Sequence, residues 1–141
     1  MSNLIKNISV HIKQDVVIFN QTFKDNLKSD VKIINYVINY ISKKKGKQFR
    51  ALICLLCSRL TLKNPNHLTF LSASAVEILH VATLLHDDVV DDAKIRRGWP
   101  TINKIWKNKL TILIGDYMFS KALVNIAKID DFKCINILAD I

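Results

Sequence analysis

Glycine and proline are scarce in this sequence: three Gly and two Pro in 141 residues. Strand-rich folds need frequent turns, and turns draw on those two residues, so a β-sandwich or barrel is excluded and a mostly helical chain is expected. Glutamate occurs once, at Glu77. Cysteine occurs three times, an odd number that argues against a disulfide framework. Cys54 and Cys57 form a CxxC, but inside the apolar run A-L-I-C-L-L-C. Neither the strand that precedes a redox motif nor the second ligand pair of a zinc site is visible, so both read as buried core thiols. The N-terminus lacks the continuous apolar run of a signal peptide. The longer apolar stretches are broken by Arg59, Glu77 and His80, too soon for a membrane span. The expectation is a soluble, cytoplasmic chain in a reducing compartment.

What is present is apolar and basic. Half of the residues are hydrophobic, enough for one domain with a core, and the net charge is +9. That charge permits polyanionic or phosphorylated partners without choosing among them. Apolar residues recur at helical spacing over residues 4–23 and 30–42. K-K-K-G-K-Q-F-R at 43–50 breaks the second helix and opens a third, over 48–62. Asn64 followed by Pro65 reads as a cap and a first helical residue. A long helix over 66–91, a loop over 93–100, and helices over 101–107, 110–128 and 131–140 complete an all-α packing. No repeat or linker divides residues 1–141, which read as one domain.

Four of the 12 acidic residues fall within positions 87–92, in H-D-D-V-V-D-D. On a helix, Asp87 and Asp91 lie four apart on one face, with Asp88 beside them. Like charges at that spacing repel, and the C-terminal end of a helix disfavours anions. A hard divalent cation rewards the arrangement, since Mg²⁺ takes one or two carboxylates together with substrate phosphates. Arginine occurs only four times against 17 lysines, and two of the four are Arg96 and Arg97 in I-R-R-G-W-P. Guanidinium grips phosphate with a rigid fork that ammonium lacks. Lys47 and Arg50 share a helix face near an N-terminus, a ready anion site. His80 lies seven residues before Asp87, two turns away, and can share the aspartates' face. The E-x-x-H of Glu77 and His80 suggests a di-iron bundle, but such sites need several glutamates and the sequence has one.

Taken in order, H-V-A-T-L-L-H-D-D-V-V-D, I-R-R-G-W-P-T and G-D-Y-M-F-S-K-A resemble the trans-isoprenyl (polyprenyl) diphosphate synthases, over residues 46–122. The resemblance implies the all-α isoprenoid synthase fold and a prenyltransferase joining isopentenyl diphosphate to an allylic prenyl diphosphate. It implies that Asp87, Asp88 and Asp91 hold Mg²⁺ against the allylic diphosphate, and that Arg96 contacts the same group. Lys47, Arg50, His80 and Arg97 would hold isopentenyl diphosphate. Metal and arginines would stabilise the leaving diphosphate, so no protein nucleophile is needed.

Three departures stand out. The family's G-G-K-R-x-R-P appears as Lys45-Gly46-Lys47-Gln48-Phe49-Arg50-Ala51, which predicts weakened binding. Asp92 follows the motif without a role in it. Family members are much longer and carry a second aspartate-rich motif; Asp130-Asp131 lacks the third member. Residues 1–141 therefore read as an N-terminal half, partnered by a second copy of the chain or a complementing C-terminal half. The alternative is a non-catalytic fragment or a subunit that binds diphosphate or a partner chain. Nucleic acid is set aside, because carboxylates beside the arginines would repel phosphate without metal. Ala82, five before Asp87, and Leu79, eight before, are expected to floor the pocket for the growing tail. The small Ala82 leaves it open, implying a medium- or long-chain product such as a quinone side-chain precursor.

Overall fold

The computed structural model describes residues 12–43, 46–62 and 64–139. Six helices account for most of them: α1 Lys13–Asn26, α2 Lys32–Lys43, α3 Phe49–Thr61, α4 His67–Val90, α5 Ile102–Ala127 and α6 Phe132–Ala139. Two short strands, β1 Ile95–Arg96 and β2 Trp99–Pro100, separate α4 from α5. The all-α reading therefore holds. The expected start of the first helix before residue 12, and Lys45, lie outside the described residues.

The central element is α4, which packs against α1, α3 and, most extensively, α5. Phe19, Phe23 and Leu27 approach it from α1 and its C-terminus, and Ala51, Leu52 and Leu55 from α3. Ile114, Met118 and Ala122 approach from α5. Each large side chain buried there contributes roughly 1.5–3 kcal/mol. A bidentate ion pair ties α1 to α3: Arg59 donates through Nε at 2.6 Å and Nη2 at 3.0 Å to buried Asp15. This one arginine outside the polar motifs is thus structural.

Four expectations are corrected. The cap of α4 is Asn66, not Asn64: its backbone is extended and its Oδ1 accepts from the Thr69 N–H at 3.0 Å. An N-cap stands immediately before the first helical residue and accepts from an N–H two or three residues on; the helix begins at His67, so that place falls to Asn66. Cys57 is exposed on α3 and Cys54 half-buried, and all three cysteines are free. Burial raises the Cys54 thiol pKa, so it stays protonated. The helices α4 and α5 are each long and apolar enough, by length and composition, to cross a membrane. Glu77 and His80 do not interrupt α4; half of its most apolar stretch is buried within the chain itself. The loop after residue 93 holds a two-residue antiparallel ladder, pairing Ile95 with Pro100 and Arg96 with Trp99.

The turn of that hairpin is Arg97-Gly98, with φ of 53° and 79°. Positive φ at both central residues matches the strand twist and is why glycine stands second. The separate helices expected over 101–107 and 110–128 are the two segments of α5, bent where Lys107 takes φ 68° and ψ 159°. Tyr40 Oη donates to the Pro100 carbonyl at 2.9 Å, and Trp106 meets Tyr40 edge-on at 5.3 Å, so α2 grips both hairpin and α5.

Candidate functional site

The aspartate end of α4 is finished by a two-bond cap. The Ala93 N–H reaches the Asp88 carbonyl at 2.9 Å, and the Asp92 N–H reaches that of Val89 at 3.3 Å. Asp92, between them, has φ 47°. This is a Schellman ending, with Asp92 in the left-handed position usually taken by glycine. The fourth aspartate therefore terminates the helix, and its carboxylate pairs with Lys94. Buried Asn103 adds a clamp that sequence reading missed: Nδ2 donates to the carbonyls of Asp88 at 3.1 Å and Ala93 at 3.0 Å. An asparagine in the first turn of an apolar helix was the only signal.

The three motif aspartates divide by face. Asp87 and Asp91 are exposed, while Asp88 is 4% exposed. Successive residues are turned roughly 100° around the axis, which swings Asp88 inward. Its Oδ1 accepts from Arg96 Nε at 2.7 Å. Among the described residues, no hydrogen bond or ion pair engages the Asp87 or Asp91 carboxylate. Likewise, no group of three or more His, Cys, Asp or Glu side chains converges to hold a metal ion. The donor set thus fits a hard cation as two free carboxylates, Asp87 and Asp91, needing oxygens from elsewhere; Asp88 is committed to Arg96.

Lys47, Arg50, His80 and Arg97 line one open depression of ≈ 610 Å³, together with Gly46 and Glu77. Residues from the start of α3, the middle of α4 and the hairpin turn are thereby brought together. Gly46 permits this, since a Cβ there would overlap the Arg97 guanidinium. Gln48 caps α3 in the left-handed conformation, φ 48°, without a side-chain bond to the helix N–H groups. The first turn of α3 accordingly faces the depression with donors to spare. Burial, then Arg50, Arg97 and Arg96, hold the His80 pKa below its usual value, against the opposing pull of Asp87. A second, smaller cavity of ≈ 120 Å³ lies beside it, lined by Asp88, Arg96 and aromatic Trp99. Gly46, Gln48, Glu77 and Arg97 form the wall between the two.

The two tail-floor candidates are placed differently. Ala82 is fully buried in the core, and Leu79 is half-buried against it. Five residues correspond to about 140° of rotation, so Ala82 points away from Asp87. Exposed Thr83, one turn before Asp87, lies on the face of α4 that carries Asp87. Gly115 and His86 make a further close approach: a Cβ on Gly115 would overlap the imidazole.

A profile of the family described as Polyprenyl synthetase matches residues 31–141. The chain is 38% identical over 122 residues to an octaprenyl diphosphate synthase of Haemophilus influenzae, covering 86% of this chain and 36% of that one. It is 33% identical over 130 residues to an all-trans-nonaprenyl-diphosphate synthase (geranyl-diphosphate specific) of Rhodobacter capsulatus, covering 89% and 39%. A crystal structure of a Caulobacter crescentus polyprenyl synthase, complexed with calcium and isoprenyl diphosphate, superposes with a TM-score of 0.89. Identity there is 32%, covering 96% of this chain and 41% of that one. The chain thus spans about two fifths of the length of the proteins it matches.

Proposed function

This chain belongs to the polyprenyl synthetase family, and from that membership we propose that it supplies part of a trans-prenyltransferase site. The reaction adds isopentenyl diphosphate to an allylic prenyl diphosphate and lengthens the chain by one unit. The observation that carries this reading is the meeting of Lys47, Arg50, His80 and Arg97 around one depression, on the helix that ends in Asp87 and Asp91. Cations from two separate segments, with a histidine from a third, suit a polyanionic substrate group at one opening.

The residues divide the work by charge. Lys47 and the guanidiniums of Arg50 and Arg97 bind the diphosphate of isopentenyl diphosphate and fix its orientation. His80, with its pKa held low, enters as a neutral imidazole that can donate one hydrogen bond to a phosphate oxygen. Arg96, held by Asp88, stands ready at the neighbouring allylic diphosphate. Asp87 and Asp91 would hold Mg²⁺, whose charge offsets that of the departing diphosphate when bound. A complementing segment or a second copy of the chain is the expected partner. Thr83 and Leu79, below Asp87, make the floor beside the growing tail, and their modest size suits a medium- or long-chain product of the quinone side-chain class.

The test is transfer of a labelled isopentenyl unit to an allylic diphosphate with Mg²⁺, by the polypeptide that carries this chain in the cell. Extractable product longer than the allylic primer is expected. Diphosphate binding without any such product would overturn the transferase and leave a binding subunit. That second reading draws on the exposed apolar residues of α5, among them Leu113, Phe119 and Leu123, which suit a partner surface.

A further inference from the structure

The one glutamate of the chain is not used by the chemistry above. Glu77 is 6% exposed and sits in the wall shared by the depression and the neighbouring cavity. The Ala51 backbone N–H acts on this carboxyl, drawing its pKa down against the larger upward push of burial. That N–H belongs to the first turn of α3, where such donors have no partner within the helix, and the Gln48 cap supplies none from its side chain. The family pattern has proline at this position, and proline has no N–H to give. The link between α4 and α3 is therefore made possible by this chain's own departure from the pattern, Ala51.

One carboxylate oxygen, Oε2, is buried and has no hydrogen-bond partner among the described residues. Leaving a buried carboxylate oxygen unmatched is costly, so the position demands a compensating group. The charges nearest to hand are Arg50 and Arg97, whose field acts on this carboxyl against the effect of burial. A guanidinium carries five N–H groups, enough to serve a phosphate on one edge and a carboxylate on the other. Arg50 is in the first turn of α3 and lines the depression with Glu77, and Arg97 shares the wall with it.

We infer that Glu77 is a positioning residue: its carboxylate fixes the start of α3 and backs Arg50 and Arg97, so that both guanidiniums address one bound diphosphate. This rests on the depression being a diphosphate site. It also makes a prediction of unusual sign. A carboxylate that merely lies near an anion site weakens binding by repulsion, and its removal should tighten binding. A carboxylate that positions the arginines does the reverse.

Titration calorimetry with inorganic diphosphate separates the two. Glu77→Gln, which keeps size and removes charge, should weaken binding about tenfold or more, because both arginines lose the charge that orients them. Glu77→Asp keeps the charge but withdraws it by one methylene, and should also weaken binding. Equal or tighter binding by Glu77→Gln, with the parent chain binding well, overturns the inference. Failure of the parent chain to bind diphosphate overturns the cradle itself and this role with it. Amide exchange in the ligand-free protein gives a readout independent of affinity. The Ala51 N–H should be protected in the parent and exchange faster in Glu77→Leu. Unchanged protection there also overturns the inference.

Discussion

The guanidinium of Arg97 lies directly over the Cα of Gly46, with Cζ 2.6 Å from where a Cβ on that glycine would stand. Two motifs 51 residues apart in sequence thus meet at one point, and the smallest side chain is what lets them. Glycine is needed here for space: Gly46 is not among the residues of positive φ.

Gly46→Ala should therefore displace Arg97 with little cost to the fold, because the overlapping group is the far end of a flexible side chain. The expected result is a melting temperature within a few degrees of the parent, about 0.5 kcal/mol, and diphosphate binding weakened about tenfold. Thermal melts and calorimetry on the same sample check it. Gly98→Ala should behave in the opposite way: nothing crowds a Cβ there, but φ of 79° strains any side-chain-bearing residue.

The aspartates should separate by what each loses. Asp88→Ala leaves Arg96 without its partner and should destabilise the fold by about 1–3 kcal/mol, the buried-pair figure reduced because the Arg96 side chain is 37% exposed. Asp87→Ala and Asp91→Ala remove exposed, unengaged carboxylates and should melt like the parent while losing affinity for Mg²⁺ in the presence of diphosphate. Melting curves that rank Asp87→Ala below Asp88→Ala would contradict this division.

Much of this was legible in the sequence. Helical spacing marked the long helices, because apolar residues on one face are what pack. The basic residues of the cradle stood out, because arginine is rare among many lysines. Side-chain direction within a motif was harder to read. D-D-x-x-D names three carboxylates, yet one turns inward to Arg96, and only packing decides which. Ala82 shows the same limit: it stands within two turns of Asp87 along the chain, but its rotation about α4 turns it into the core. The Asn66 cap was hidden by Asn64 and Pro65, two equally good signals a step earlier.

That rotation gives a simple measurement. Ala82→Phe forces an aromatic ring into a fully buried core position and should cost about 1–3 kcal/mol or more. Thr83→Phe, on the exposed face below Asp87, should leave the melting temperature nearly unchanged and shorten the product of the active enzyme. Similar melting of the two variants would place Ala82 outside the core.

His80 should make stability depend on acid. Its folded pKa lies below the usual 6.5, so just under that pH the unfolded chain holds more protons than the folded one. The contribution is fully present above 6.5 and is lost as pH falls through the depressed value. Glu77 runs the other way: its raised pKa favours the folded state in acid, and that contribution is lost as pH rises through the folded value. Urea titrations of the parent and His80→Gln across pH 7.5 to 5, roughly the span over which histidine charges, isolate the His80 part. The parent should lose more stability than the variant; parallel curves would contradict it.

The central claim is that Lys47, Arg50, His80 and Arg97 are one binding site. Calorimetric titration of the chain with isopentenyl diphosphate tests it most directly. The parent should bind, and Lys47→Gln, Arg50→Gln and Arg97→Gln should each lose about tenfold or more, while Lys104→Gln, an exposed lysine on α5 away from the depression, should bind like the parent. Equal affinity in all five proteins, or none in the parent, would contradict the account.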